Sequence, residues 1–212
     1  ISWCFNRNSL NDEQRSSLSD AEYERLLEVS KRHQEKLKAE HEAQAKIAQE
    51  KARILFESLK ALDKDYRHPY LTKKQIYPYG LRLHKETNNL AVPIFNIDGN
   101  IVNIQWISPD GEKKFFPSAP VSANFFPIAL DIADKHNDEP ILIGEGVATM
   151  STVYELTNRA CIAAMNCGNI SKVAEVIQKK YPNNPIIIIA DNDHKNSVNV
   201  GLQAAQKTVA DL

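Results

Sequence analysis

The sequence predicts an α/β fold: a parallel sheet with flanking helices, preceded by a small antiparallel β-rich part and a long N-terminal helical segment. Three observations predict it. Residues 140–190 alternate short apolar runs (PILIG at 140–144, an apolar stretch at 160–165, IIIIA at 186–190) with helical patterns at 148–157 and 171–181. Apolar runs of that length bounded by Gly or Pro read as strands buried on both faces, and their alternation with helices is the pattern of parallel strands joined by crossovers. Residues 88–126 carry apolar runs separated by Asp-Gly turns, the mark of hairpins. Residues 19–62 contain neither Pro nor Gly and are dominated by Ala, Glu, Lys, Gln and Leu, all good helix formers.

Taken in order, residues 1–18 are polar with isolated Trp3 and Phe5, like the tail of something upstream. Ser19 and Glu22 form a capping box, each side chain placed to meet the other's backbone N–H. A continuous helix from there would run about 65 Å. Its middle, 31–50, lacks an apolar stripe, while Leu26, Leu27 and Val29 at one end and Ile54, Leu55, Leu59 and Leu62 at the other supply two. That is the composition of a solvated connector, either continuous or broken in two; sustained a/d hydrophobics for a coiled coil are missing. Residues 63–82 are loop-rich, aromatic and basic. Their tyrosines either stack bases beside Lys and Arg or pack a domain junction. Leu90 to Phe95 and Ile101 to Ile107 read as paired strands around a turn tipped by Asp98 and Gly99, followed by strands beginning at Lys113 and at Asn124. Residues 127–136 read as a short helix.

In a parallel sheet the carboxyl ends of the strands gather at one edge, and ligands bind in the crevice outside it. Glu145 falls just past the first strand, and Asp191 and Asp193 just past the third, two residues apart and so on one side of an extended backbone. Three converging carboxylates repel one another and tend to take up protons. A hard divalent cation, Mg²⁺ or Mn²⁺, removes that conflict and bridges to phosphates. Acids at strand ends also cap helices, so Asp-x-Asp alone is weak, and the preceding Gly-Glu-Gly favours the metal reading. Gly146 opens a turn at a helix start, a phosphate-binding geometry. Asn166, Gly168 and Asn169 follow the second strand and belong on the same edge. Lys195 follows the acid pair, as does His194, which reads as an exposed loop residue.

This stretch resembles a Toprim domain, the fold shared by bacterial-type primases, topoisomerases and some nucleases, whose pattern is Glu-Gly after the first strand and Asp-x-Asp after the third. The set Glu145-Gly-Val-Ala-Thr149, Asn166-Cys-Gly-Asn169 and Ala190-Asp-Asn-Asp193 is similar to primases of conjugative plasmids and phages. So is the run from His68 to Leu71 followed by Gly80-Leu-Arg82. The resemblance implies a DNA primase catalytic core: metal-dependent nucleotidyl transfer from nucleoside triphosphates on a single-stranded DNA template, with a helicase domain or protein as a further partner. Glu145, Asp191 and Asp193 become catalytic and metal-binding residues. Residues 88–126 resemble the basic subdomain that precedes Toprim in bacterial primases, which makes Arg82, Lys113 and Lys114 nucleic-acid or nucleotide contacts, together with Gly146, Asn166, Gly168, Asn169 and Lys195. The implied organisation is a helical segment at 1–62, a β-rich basic subdomain at 63–126 and a Toprim domain at 127–212 that stops before its last strand. The start at Ile1 and the end inside a helical pattern read as a piece of a longer protein.

Composition limits the function classes. A net charge of −1 gives no bulk attraction to nucleic acid, so contacts must come from local basic patches. Cys4, Cys161 and Cys167 are too few and scattered for a disulfide framework or zinc site and fit a reducing cytoplasm. No apolar run approaches the roughly 20 residues of a membrane span. The Gly-x-Gly-x-x-Gly and Walker A patterns are absent, which excludes an ordinary dinucleotide dehydrogenase or P-loop ATPase. Two other readings stay open: a Toprim nuclease or strand-cleaving enzyme using the same acids, and a non-catalytic nucleic-acid-binding module of a primase-helicase.

Overall fold

The computed structural model describes residues 19–130 and 138–190. The chain divides between Ile47 and Ala48 into two units. The first unit's described part is helix: α1 (Asp20–Ser58) is continuous through the predicted polar middle and runs into the second unit. Its capping box forms as the sequence predicts. Ser19 N–H donates to Glu22 Oε2 at 3.0 Å, and Glu22 N–H donates to Ser19 Oγ at 3.4 Å; the Ser19 hydroxyl, which donates to Glu22 Oε2 at 2.7 Å, and then the Ser19 amide hold the exposed Glu22 carboxyl below its usual range. Pairs at helical spacing, Arg32 with Glu28 and Arg53 with Glu50 and Glu57, line the exposed surface of a helix that has few apolar contacts to hold it.

In the second unit, described strands β1 (Lys60–Ala61), β2 (Arg82–His84), β3 (Asn89–Phe95), β4 (Ile101–Ile107) and β5 (Lys113–Phe115) form an antiparallel sheet in sequence order. The short helix α2 (Pro69–Lys74) lies between β1 and β2 in the chain. Pro93 sits inside β3 without breaking it. Its missing N–H falls between β2, whose pairing with β3 reaches only Ala91, and Phe125, which bridges Phe95, so no ladder bond is lost. The turn at residues 96–100 is closed by Asn96, whose Oδ1 accepts from the Asp98 and Asn100 amides at 3.1 and 2.9 Å.

The second sheet orders β6 (Phe126–Ile128), β8 (Cys161–Ala163), β7 (Ile141–Gly144) and β9 (Ile186–Ile189). β7 runs parallel to both β8 and β9, as the alternating pattern predicts, with α3 (Val147–Thr157) and α4 (Ile170–Lys180) as crossovers. Three expectations are corrected. The helix expected from residue 127 is not formed over 127–130: Phe126–Ile128 is a strand, antiparallel to β8, and residues 131–137 lie outside the described set. The strand expected to begin at Asn124 in the antiparallel part bridges β3 through Phe125 and Phe95 and then pairs in the second sheet. Finally, β9 is not buried on both faces. It is the outer strand of the four described, and Ile187 is 43% exposed.

The core is layered. Ala52 and Phe56 of α1 pack on Ala91 and Ile104 of one face of the antiparallel sheet. The other face, with Leu90, Val92 and Ile94, shares a cluster with Leu142 of β7 and Val147 and Met150 of α3. Beyond β7, Ile141, Ile143 and Ile162 meet Ile170, Val173 and Ile177 of α4. Alternate residues of β7 thus serve opposite clusters, the period-two rule of a strand buried on both sides. That burial fixes β7, and with it the residue that follows.

Candidate active site

The parallel register sets the site. Gly144, the last residue of β7, stands opposite Ala163 of β8 and Ile189 of β9, so three strands end level. The chain leaving β8 stays bound to the end of β7. Ala164 N–H donates to Gly144 O and Met165 N–H to Glu145 O, both at 2.8 Å. Gly144 has no room for a side chain: a Cβ there would meet the Met150 Sδ, and Ile189 O at 3.1 Å. The glycine lets α3 and β9 close on the strand end.

Glu145 is half-buried at this edge, between the end of β7 and the first residue of α3. Gly146 is the N-cap of α3, extended at φ −108°, and no side chain caps the helix. The first amides of α3 therefore open toward the strand edge, and their partial positive charge favours anions there. Neither conformation nor crowding inside the fold demands glycine at 146, since a Cβ would meet nothing closer than Thr149 Oγ1 at 3.9 Å. Asn166 follows directly on Met165 and begins the 3₁₀ turn Cys167–Asn169. Gly168 is exposed on that turn.

Asn169 has a different position from the one its place in the sequence predicts. It is buried, and its amide is fully engaged: Nδ2 donates to Val121 O, Asn124 O and Ala164 O at 3.1, 2.9 and 2.8 Å, while Oδ1 accepts from the Ala123 amide at 2.7 Å. It ties the loop before β6 to the end of β8. Asn103, a residue that sequence reasoning missed, holds the same loop from the other side through Ala119 O and Pro120 O. The available signal was a strand whose polar residues, Asn103 and Gln105, alternate with apolar ones.

The basic candidates lie on the antiparallel sheet. Arg82 Nη1 donates to Phe56 O and Glu57 O at 3.0 and 2.6 Å, and its guanidinium lies 4.8 Å from the Phe56 ring centroid; it closes the last turn of α1. Lys113 and Lys114 are exposed on β5, and Lys114 Nζ pairs with Glu112 at 2.9 Å. In the segment of residues 63–82, Tyr70 and His68 pack inside. The His68 ring accepts from the Tyr70 amide and bonds Asn88 O at 2.8 Å, so for these two residues the packing reading holds. Burial raises the Tyr70 hydroxyl above its ordinary range and the Cys161 thiol to about 11, which suits a core thiol.

Among the described residues no three metal-binding side chains come together. Asp191, Asp193 and Lys195 lie outside the described residues, beginning two positions after Ile189. The half-buried Glu145 carboxylate is an oxygen donor of the kind a hard cation takes. No described helix is long and apolar enough to cross a membrane.

Residues 140–212 match the Toprim domain family. The chain is 31% identical over 139 residues, 63% of its length, to a DNA primase TraC of Escherichia coli. It is 27% identical over 198 residues, 91% of its length, to a second protein of that name. It spans 13% of the length of each. The fold is also that of the primase fragment of the bacteriophage T7 primase-helicase protein, with a TM-score of 0.51 at 16% identity, over 72% of this chain and 65% of that one.

Proposed function

We propose, from the premise that residues 140–212 carry a Toprim domain, that the chain is a segment of a DNA primase catalytic core. It takes part in nucleotidyl transfer from nucleoside triphosphates that makes primers on a single-stranded DNA template. The observation that carries this reading is the half-buried Glu145 at the carboxyl end of a strand that runs parallel to β9, the strand from which Asp191 and Asp193 follow. The relatives named DNA primase support the same chemistry.

Glu145, Asp191 and Asp193 are the residues that would hold Mg²⁺ or Mn²⁺. When bound, such ions favour deprotonation of an attacking 3′-hydroxyl and neutralise charge on departing pyrophosphate. Glu145 either ligates or takes the hydroxyl proton, and its short tether to the rigid β7 keeps it oriented for both. The open amides at the start of α3 attract phosphate oxygens. Lys113, Lys114 and Lys195 supply cations along the nucleic acid, and a helicase domain or protein is the further partner.

Incubation with single-stranded DNA, Mn²⁺ and nucleotides tests this. Wild-type chain synthesises primers, whereas Glu145→Ala and Asp191→Ala lose at least about 100-fold in rate with unchanged circular dichroism. Full activity in either variant, or cut rather than extended strands, overturns the reading; cutting would make the protein a Toprim nuclease.

A further inference from the structure

A cleft of about 260 Å³ opens between the chain around α2 and helix α3, away from the carboxyl edge of the parallel sheet. Arg67, Thr72, Gln75 and Tyr77 line one side and Glu155 the other. That volume lies just below the usual range for ligand clefts and suits one planar group. Tyr77 is an exposed aromatic, 39% accessible, and the Lys64 Nζ lies 5.2 Å from its ring centroid. The Tyr77 ring meets Tyr79 edge-on at 6.2 Å, and Tyr79 meets Tyr154 edge-on at 5.5 Å. Tyr79 also donates to Glu155 Oε1 at 2.8 Å, so one carboxylate oxygen is fixed and the other makes no hydrogen bond among the described residues. Gln75 and Tyr79 both hold positive φ, 57° and 40°. That conformation is uncommon for side chains of this size and presents Tyr77 between them.

The charge around the cleft is local. Residues 60–74 carry five Lys or Arg against two Asp, in a chain of net charge −1. Arg67, Lys73 and Lys74 are exposed and make no ion pair among the described residues. Spread along one segment, they match the spaced phosphates of a strand better than the clustered charge of a free triphosphate.

We propose that this cleft is a binding site for one base of a single-stranded nucleic acid. The base takes the place of the Lys64 ammonium over the Tyr77 ring, a base amino group donates to Glu155, and Arg67 and the displaced Lys64 meet the flanking phosphates. An aromatic face with adjacent cations is the usual platform for single strands, and the carboxylate adds selection for bases that carry an amino group. The site rests on the proposed primase reading, because that reading supplies the strand, but it stands apart from Glu145.

Fluorescence anisotropy of labelled 12-mers with the intact chain tests it, without metal or nucleotide turnover. Tyr77→Ala weakens binding about tenfold or more, and Tyr77→Phe restores it. Arg67→Ala lowers the slope of log affinity against log salt by about 1. Glu155→Gln reduces the preference for oligo-dC over oligo-dT. Thermal melts of each variant exclude unfolding. Affinity and salt slope unchanged in Tyr77→Ala and Arg67→Ala would overturn the site, as would displacement of the strand by free nucleotide at matching concentration. If wild-type chain binds no oligonucleotide at all, the site is again overturned. Primer synthesis by Glu145→Ala is scored in its own assay, so loss of this site and loss of the primase reading remain separate results.

Discussion

Asn169 illustrates what a single side chain does here. Its amide meets three carbonyls and one amide contributed by the loop at 121–124 and by the end of β8; the bonds to Asn124 O and Ala164 O are buried and the other two half-buried. Removing a buried partner leaves the others unsatisfied, and each orphan costs about 1–3 kcal/mol. Asn169→Ala therefore lowers the free energy of unfolding by about 3 kcal/mol or more, measured by urea denaturation; a loss under about 1 kcal/mol would contradict the structural role. In sequence Asn169 reads as a ligand contact, because it follows a strand toward the site edge. Its burial depends on a loop more than forty residues earlier in the chain, and no local pattern announces that. Glu145, by contrast, is legible: its neighbours Gly144 and Gly146 and the apolar run before it place it unaided.

At the scale of elements, strands and helices with a strong period were readable. β7, β8, α3, α4 and the hairpin of β3 and β4 fall where apolar spacing puts them. Two short pieces were not, although β5 and β8, three residues each, were. β1 has two residues and β6 three, too few for a period. Pro127 within β6 reads as the opening residue of a helix, a position Pro favours, yet at an outer strand it is equally tolerated. The end of α1 was also hidden, because its cap comes from another element. Arg82 of β2 binds the last carbonyls and covers Phe56. Both donor bonds go to helix carbonyls, so Arg82→Ala loses stability by about 1–3 kcal/mol, read from thermal melts, while single-strand affinity in the anisotropy assay stays within about twofold. A large affinity loss with unchanged stability would assign Arg82 to phosphate instead.

For the molecule as a whole, two sheets share one apolar cluster, so the antiparallel sheet and the end of β7 are held in one core. The net charge is near zero, and the local excess of cations at residues 60–74 is what the proposed strand site would draw on. All of the proposed chemistry depends on Glu145 and the Asp191–Asp193 pair meeting at one ion. Anomalous diffraction from crystals of the chain soaked in Mn²⁺ measures this directly. The expected result is a peak about 2.1 Å from a Glu145 carboxylate oxygen and in contact with Asp191, lost in Glu145→Ala. A peak bound to the aspartates with Glu145 turned away, or none among the three at saturating Mn²⁺, would contradict the shared metal site.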